Sequence, residues 1–414
     1  MSAMLPSGTS SRPTPADKAR GRPLSDLALE WVWCHGPVSR ADLARDLGLS
    51  RSTVSDIVGT LLATGLIAEG GEAPSRGGRP AIQLSFNDTA HVILGIDMGA
   101  SHVSVALTDL RGRTLAWRSQ DHPVRTDPTG TLRLMAELAD ECLEEAGGAV
   151  GALMGLGIAV PSPIDPRFPD RLSPAVLPEW GGRSGFASLA ERFGVPVLAD
   201  NDANLGAVAE RWWGAGQDVA HFTFIKLATG IGAGHMIDGK IYRGSSSVAG
   251  EIGHVSIDPS GEPCMCGNRG CLTTFAGVTA LLSRARSLRA TYPTSPLAQG
   301  EITLSGLEKA ALAGDALATE VIREASHHLG VAIAGLLNLM NPGAVILGGS
   351  LTRVGDVLLT PLREAVIRRT LVASVAGSDI RISPLGEQSI AVGAATQVLA
   401  AALHDPQLFP SYQA

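Results

Sequence analysis

No apolar stretch in this chain reaches the length of a membrane span; the longest, Val331 to Met340, stops well short of the roughly 20 residues a bilayer requires. The first residues also lack the charged-then-apolar order of a signal peptide. The expectation is a cytoplasmic protein with no membrane partner. Cysteine is scarce: Cys34, Cys142, Cys264, Cys266 and Cys271 make an odd set of five. Three of them crowd into one short segment, which suits metal ligation better than a disulfide framework. Positive charge is in deficit, with 33 Lys and Arg against 40 Asp and Glu and a formal net charge of −7. That balance excludes general affinity for nucleic acid over the whole surface, so any DNA contact must come from a local patch. What the chain has is length and apolar residues. Its 414 residues, 45 % of them hydrophobic, suit two or three domains with real cores.

Residues 1–23 are rich in Ser, Pro, Thr and Arg without apolar periodicity and read as a disordered, mildly basic arm. From Leu24 the texture changes. Leu24, Leu27, Ala28, Trp31 and Val32 fall on one helical stripe, and Gly36-Pro37 supplies a stop. Ser39 to Asp42 opens a second helix that Gly48 ends, and Ser50 caps a third whose inward stripe is Val54, Ile57, Val58, Leu61 and Leu62. The opposite face of that third helix presents Arg51, Ser52, Thr53 and Ser55, side chains that can approach phosphates and base edges in a major groove. Two strands, Leu66 to Ala68 and Ala81 to Leu84, would flank a wing whose tip carries Arg76 and Arg79, suited to a narrow minor groove. A small helical bundle used for dimerisation is the competing reading of these helices.

Beyond residue 88 the pattern becomes α/β. Strand-like runs are His91 to Ile96, Val103 to Leu107, Leu156 to Val160, Val195 to Ala199, Phe222 to Leu227 and Ala344 to Leu347. Helical patterns cover Thr131 to Ala146 and Ala203 to Trp213. No internal repeat is evident. Asp97-Met-Gly99 follows the first strand, Thr229-Gly230-Ile-Gly232 lies at the end of another, and Gly348-Gly349 after a third. Turns of this type can cradle phosphate through backbone N–H groups while Asp97 holds Mg²⁺ through water. Each alone could be an ordinary hairpin. Asp200-Asn201-Asp202 sits at the carboxyl end of a strand, where α/β ligands usually bind.

This order of motifs, with Ala159-Val-Pro161-Ser-Pro163, Glu251-Ile-Gly-His254 and Cys264-Met-Cys266-Gly-Asn-Arg-Gly-Cys271, resembles the ROK family of repressors, open reading frames and kinases. The resemblance runs from about residue 24 to the end. It implies an α/β, two-lobed hexokinase- and actin-like (ribonuclease H-like) body behind an N-terminal winged helix-turn-helix. The domain layout would be an arm (1–23), the DNA-binding domain (24–88), a first lobe (89–200) onto which a C-terminal helix (about 389–404) packs back, a second lobe with a zinc site (201–388) and a tail (405–414). It further implies a homodimer or homotetramer on an inverted-repeat operator in double-stranded DNA, and a small carbohydrate held by Asn201, Asp202, Glu251 and His254. Asp202 would be the general base in a kinase. ATP and Mg²⁺ would be cofactors only of a kinase-active protein, at Asp97, Gly99, Thr229, Gly230, Gly232, Gly348 and Gly349.

The zinc expectation has its own chemistry: His254, Cys264, Cys266 and Cys271 offer one imidazole and three thiolates, a closed tetrahedral set, against which stands a metal-free cysteine loop. Several positions depart from the kinase pattern. Ala100 and Ala228 add side chains where phosphate would approach, His102 replaces a lysine, Ser350 ends the third turn, and Thr273 stands where the family usually has Glu. The expectation is a sugar-responsive regulator, a repressor of carbohydrate-related genes, with an ATP-dependent sugar kinase as the alternative.

Overall fold

The computed structural model describes residues 22–72, 81–147, 151–370 and 379–412. Most of the expected N-terminal arm, and the wing tip with Arg76 and Arg79, lie outside the described residues.

The N-terminal unit is built from α1 (Leu24–His35), β1 (Val38–Ser39), α2 (Arg40–Leu47), α3 (Arg51–Ala63), β2 (Ile67–Glu72) and β3 (Ile82–Phe86). Local chemistry sets its helix boundaries. Ser39 Oγ accepts from the Asp42 N–H at 3.1 Å while the Asp42 carboxylate accepts from the Ser39 N–H at 3.3 Å, a reciprocal cap. Gly48, at φ +65°, closes α2 in the left-handed conformation. Ser50 Oγ accepts from the Thr53 N–H at 3.1 Å and starts α3. β3 lies between β1 and β2, antiparallel to both. Leu29, Val32, Leu43, Val58, Leu61, Leu66 and Leu84 are buried in the shared core.

The body starts with β4 (His91–Met98), β5 (His102–Thr108), β6 (Thr114–Asp121), α4 (Pro128–Ala146), β7 (Ala152–Val160), α5 (Ala187–Phe193) and β8 (Val197–Asn201). It continues through α6 (Asp202–Trp212), β9 (Phe222–Leu227), β10 (Ile231–Ile237), β11 (Lys240–Tyr242), α7 (Thr273–Ala276), α8 (Val278–Leu288) and α9 (Leu304–Leu312). α10 (Ala316–Met340), β12 (Ala344–Gly348), α11 (Asp356–Ile367), β13 (Asp379–Ile382) and α12 (Ser389–His404) complete it. The strands form two five-stranded sheets ordered β6-β5-β4-β7-β8 and β11-β10-β9-β12-β13. In each, three antiparallel strands are followed by two that run parallel to the first. The second sheet therefore repeats the topology of the first, a duplication that the sequence conceals. None of the helices among the described residues is long and apolar enough to cross a membrane.

Alanine-rich α12 packs on the first sheet and on α6. The approach is close enough to require glycine: a β-carbon at Gly95 or Gly157 would stand within 2 Å of the Ala391 or Ala394 carbonyl oxygen. The N-terminal unit docks against this region. Leu24, expected inside, is 37 % exposed, whereas Trp33, off the expected stripe, is only 7 % exposed. The physical reason is that α1 buries a second face on the body. The Trp33 ring centroid lies 5.1 Å from that of Trp212 and 6.1 Å from that of Trp213, and its Nε1–H donates to the Leu110 carbonyl at 3.1 Å. Arg111 stacks over the same indole at 4.6 Å while its Nε donates to Asp88 at 2.8 Å. Trp213 Nε1–H donates to Thr396 Oγ1 of α12 at 2.8 Å, and the Tyr412 hydroxyl donates to Asp26 of α1 at 3.1 Å.

Candidate functional site

A cleft of about 960 Å³ opens between the two lobes, within the range of small-molecule sites. It is lined by all four residues expected to contact sugar, Asn201, Asp202, Glu251 and His254. Asp97, Thr229, Gly230, Gly232 and Gly349 line it too. Gly99 and Gly348 do not, and packing explains both: a β-carbon there would strike the His102 ring at 2.2 Å or the Phe224 ring at 2.5 Å. Gly349 has φ +92° with the Leu227 carbonyl oxygen 2.5 Å from a would-be β-carbon, so the third turn needs glycine for its backbone path.

The polar groups are not equally free to meet a ligand. Asn201 caps α6, its Oδ1 accepting from the Ala203 and Asn204 N–H groups at 3.0 and 3.1 Å, and its Nδ2 donates to the Ser162 carbonyl at 3.3 Å. Its amide is largely spent on holding the turn. Asp200, beside it, is buried and paired with Arg243 at 2.5 Å. Asp202 receives the Ala203 N–H on Oδ1 at 2.6 Å and the Lys226 ammonium on Oδ2 at 2.7 Å. Lys226 is the residue that sequence reasoning missed. Its only signal was a lysine inside the mostly apolar run Phe222 to Leu227, a strand that is buried throughout. Burial alone would pull its ammonium down, but Asp202 and Asp97 outweigh that and hold its proton more firmly than in water. Burial likewise works to raise Asp97, yet Lys226 and His102 hold it below the usual carboxylate range.

Glu251 behaves oppositely. Burial, reinforced by the Asp202 charge, pushes its carboxyl up to about 7 from an ordinary 4.5. Between those values the folded chain keeps a proton that the unfolded chain has released, so this group's contribution to stability falls as pH rises from about 4.5 to 7 and then levels off. Glu251→Gln should flatten that slope. Melting temperatures of the two proteins are expected to converge at low pH and to separate in favour of the variant at pH 7.5 and above; parallel curves across the range would contradict it.

At the rim of the cleft His254, Cys264, Cys266 and Cys271 converge, with all four ligand atoms within 4.8 Å of one another. Cys264 Sγ lies 3.5 Å from His254 Nδ1, and Cys266 Sγ lies 3.6 Å from Cys271 Sγ. Sulfurs around a tetrahedral ion with bonds of about 2.3 Å stand about 3.8 Å apart, so this cluster could hold a metal ion. The loop is folded on itself by backbone hydrogen bonds, among them Ile257 N–H to the Gly270 carbonyl at 2.9 Å and Cys264 N–H to the Asn268 carbonyl at 2.8 Å, with bridges pairing Ser256 with Cys271 and Pro263 with Arg269.

On the N-terminal unit, Arg51, Ser52 and Ser55 are exposed on one face of α3, and Arg51 has no ion pair among the described residues. Thr53 is half-buried, its hydroxyl 2.8 Å from Ser50 Oγ in the helix cap. The neighbouring cations are engaged: Arg40 pairs with Glu69, and Arg45 with Asp42 at 2.6 Å.

A two-lobed body of duplicated α/β sheets around a polar cleft, preceded by a winged helical unit, defines a sugar-kinase-like fold with an N-terminal extension. Residues 93–401 match the model of the ROK family, and the chain belongs to it. It is 30 % identical over 391 residues to the putative xylose repressor of Caldicellulosiruptor sp. (strain Rt8B.4), covering 93 % of this chain and 96 % of that protein. Among solved structures, a ROK family transcriptional regulator described as a homologue of the Escherichia coli MLC protein superposes with a TM-score of 0.78 at 28 % identity, over 94 % of this chain and 98 % of its own. A ROK family glucokinase from Streptomyces griseus, in complex with glucose and AMPPNP, gives 0.66 at 28 % identity, covering 74 % of this chain and 98 % of the enzyme.

Proposed function

We propose that this chain is a sugar-responsive DNA-binding transcriptional repressor, and a regulator rather than an enzyme. The regulators it resembles match along almost all of both chains, whereas the glucokinase corresponds to three quarters of this one. The observation that carries the reading is a continuous physical link. α6 begins at Asp202 in the cleft and runs for 11 residues to Trp212, which packs on Trp33 of the N-terminal unit. A sugar whose hydroxyls bind Asp202, Glu251 and the free Nε2 of His254 would shift α6, and with it the orientation of the DNA-binding unit. For that to regulate, the sugar must bind the two orientations with different affinity.

In this reading α3 enters the major groove with Arg51, Ser52 and Ser55, Thr53 serves chiefly the cap, and Arg76 and Arg79 of the wing probe the minor groove. The chain acts as a homodimer or homotetramer on an inverted repeat. His254, Cys264, Cys266 and Cys271 hold a structural zinc, which ties the loop behind the cleft into one piece.

The test is fluorescence anisotropy on an inverted repeat selected from random DNA, with D-xylose, D-glucose and N-acetylglucosamine as probes. A change in DNA affinity with at least one of them is expected, and Arg51→Ala should weaken binding by roughly 1 to 3 kcal/mol. No selectable DNA site, or unchanged affinity in the Arg51 variant, would defeat the DNA-binding assignment.

A further inference from the structure

The floor of the cleft carries its own cation. Lys226 Nζ lies 2.7 Å from Asp202 Oδ2, with both side chains only 9 % exposed. Asp97 is 3 % exposed; one oxygen stands 3.3 Å from His102 Nε2, and the other is buried with no hydrogen-bond partner among the described residues. Asp97, Asp202 and Lys226 all line this cleft, and two carboxylates buried in one site need a compensating positive charge. In phosphoryl transfer that charge is a divalent ion arriving with the nucleotide, and the base is a carboxylate free to take a proton from the attacking hydroxyl. Neither condition is met. The charge comes from β9 of this chain, and both Asp202 oxygens already have donors. Protonating Asp202 would strand a buried ammonium.

We propose that Lys226 is an internal counter-cation that stands in for the divalent ion a kinase would bring to Asp97 and Asp202. The cleft is thereby electrostatically complete with an uncharged sugar alone, and a magnesium-bound nucleotide is excluded. Asp202 is a fixed hydroxyl acceptor and Lys226 a fixed donor. This goes further than the altered phosphate loops do: Ala100, Ala228 and Ser350 add bulk at the edge of the site, whereas Lys226 changes the charge at its centre. It rests on the reading of the cleft as the ligand site of a sugar-responsive repressor.

The experiment is titration of the full-length, zinc-loaded chain with Mn²⁺, followed by electron paramagnetic resonance with and without ATP. Mn²⁺ prefers oxygen ligands and leaves the thiolate cluster alone. The native protein is expected to show no Mn²⁺ site that depends on Asp97. Lys226→Met and, as a smaller polar alternative, Lys226→Thr should each gain one site per chain, binding at least tenfold tighter than any in the native protein and abolished by adding Asp97→Asn. Mn²⁺ or Mn²⁺·ATP binding by the native chain that Asp97→Asn removes would overturn the proposal without recourse to the lysine variants. Folded lysine variants that gain no site would overturn it as well. Failure of every sugar to alter DNA affinity, with the Mn²⁺ pattern as expected, would instead sink the sensor reading and leave the role of Lys226 standing.

Discussion

Cys266→Ser is expected to release one zinc per chain and to lower the thermal transition of the second lobe by on the order of 10 °C, the shift that about 4 kcal/mol produces in a unit of that size. Cys266 is the informative ligand because it is exposed, whereas Cys271 is fully buried and its loss would also open the core. Removing an exposed sulfur creates no cavity, so the destabilisation reports the lost metal. The loop has little regular secondary structure, being tied by isolated bridges and turn hydrogen bonds, so a metal would add a cross-link that these do not supply. Thr274, in α7 at the cleft wall, bonds the Cys271 carbonyl at 2.7 Å, so loosening the cluster also disturbs the site. Elemental analysis, together with scanning calorimetry of native, variant and chelator-treated protein, checks the expectation. The variant and the chelated native chain should coincide; a variant with full zinc content and an unchanged transition would remove the metal from the account.

Trp33→Ala should uncouple the two halves of the molecule. Coupling free energies between sites are typically about 1 to 3 kcal/mol, a 5- to 150-fold change in affinity, and the expected result is that the sugar-induced change in DNA affinity shrinks toward onefold. Trp33 contributes to this contact through the Trp212 and Trp213 rings, the Leu110 carbonyl and the Arg111 guanidinium. Truncating a buried tryptophan costs roughly 3 to 5 kcal/mol, so Trp33→Phe serves as the milder companion, keeping ring packing while losing the indole N–H. The sugar's own affinity, read by calorimetry, should survive in both. A folded Trp33→Ala chain that keeps the native fold-response would place the coupling elsewhere.

The legible parts of this protein were those whose causes are local. Ser39, Asp42, Gly48 and Ser50 punctuate the helices through bonds spanning three or four residues, and the structure starts and stops α2 and starts α3 where those residues stand. The strand runs at Phe222 to Leu227 and Ala344 to Leu347 were likewise readable from composition, because strands buried on both faces are predominantly apolar. Several elements were overlooked. β6, with its mixed polar residues, gives no such run, and α10, read only as an apolar stretch, is a helix of 25 residues. The burial of Trp33 departs from the single stripe because a helix that touches two units has two inward faces, and one sequence stripe describes only one of them.

By itself the sequence determined the identity of the chemistry: which turns carry glycine, which loop carries three thiols and an imidazole, and which family this order of motifs belongs to. Spacing along the chain is enough for these, since a cap closes within three or four residues and the whole ligand set lies between His254 and Cys271. Only the tertiary structure decided which of those groups remain available. It spends Asn201 on capping a helix, sets Gly99 and Gly348 against aromatic rings, and brings Lys226 to Asp202 across 24 residues and Trp33 to Trp212 across far more. Such pairings depend on how two sheets and a helix pack, which is a sum over many distant burial terms with no signature at any one position.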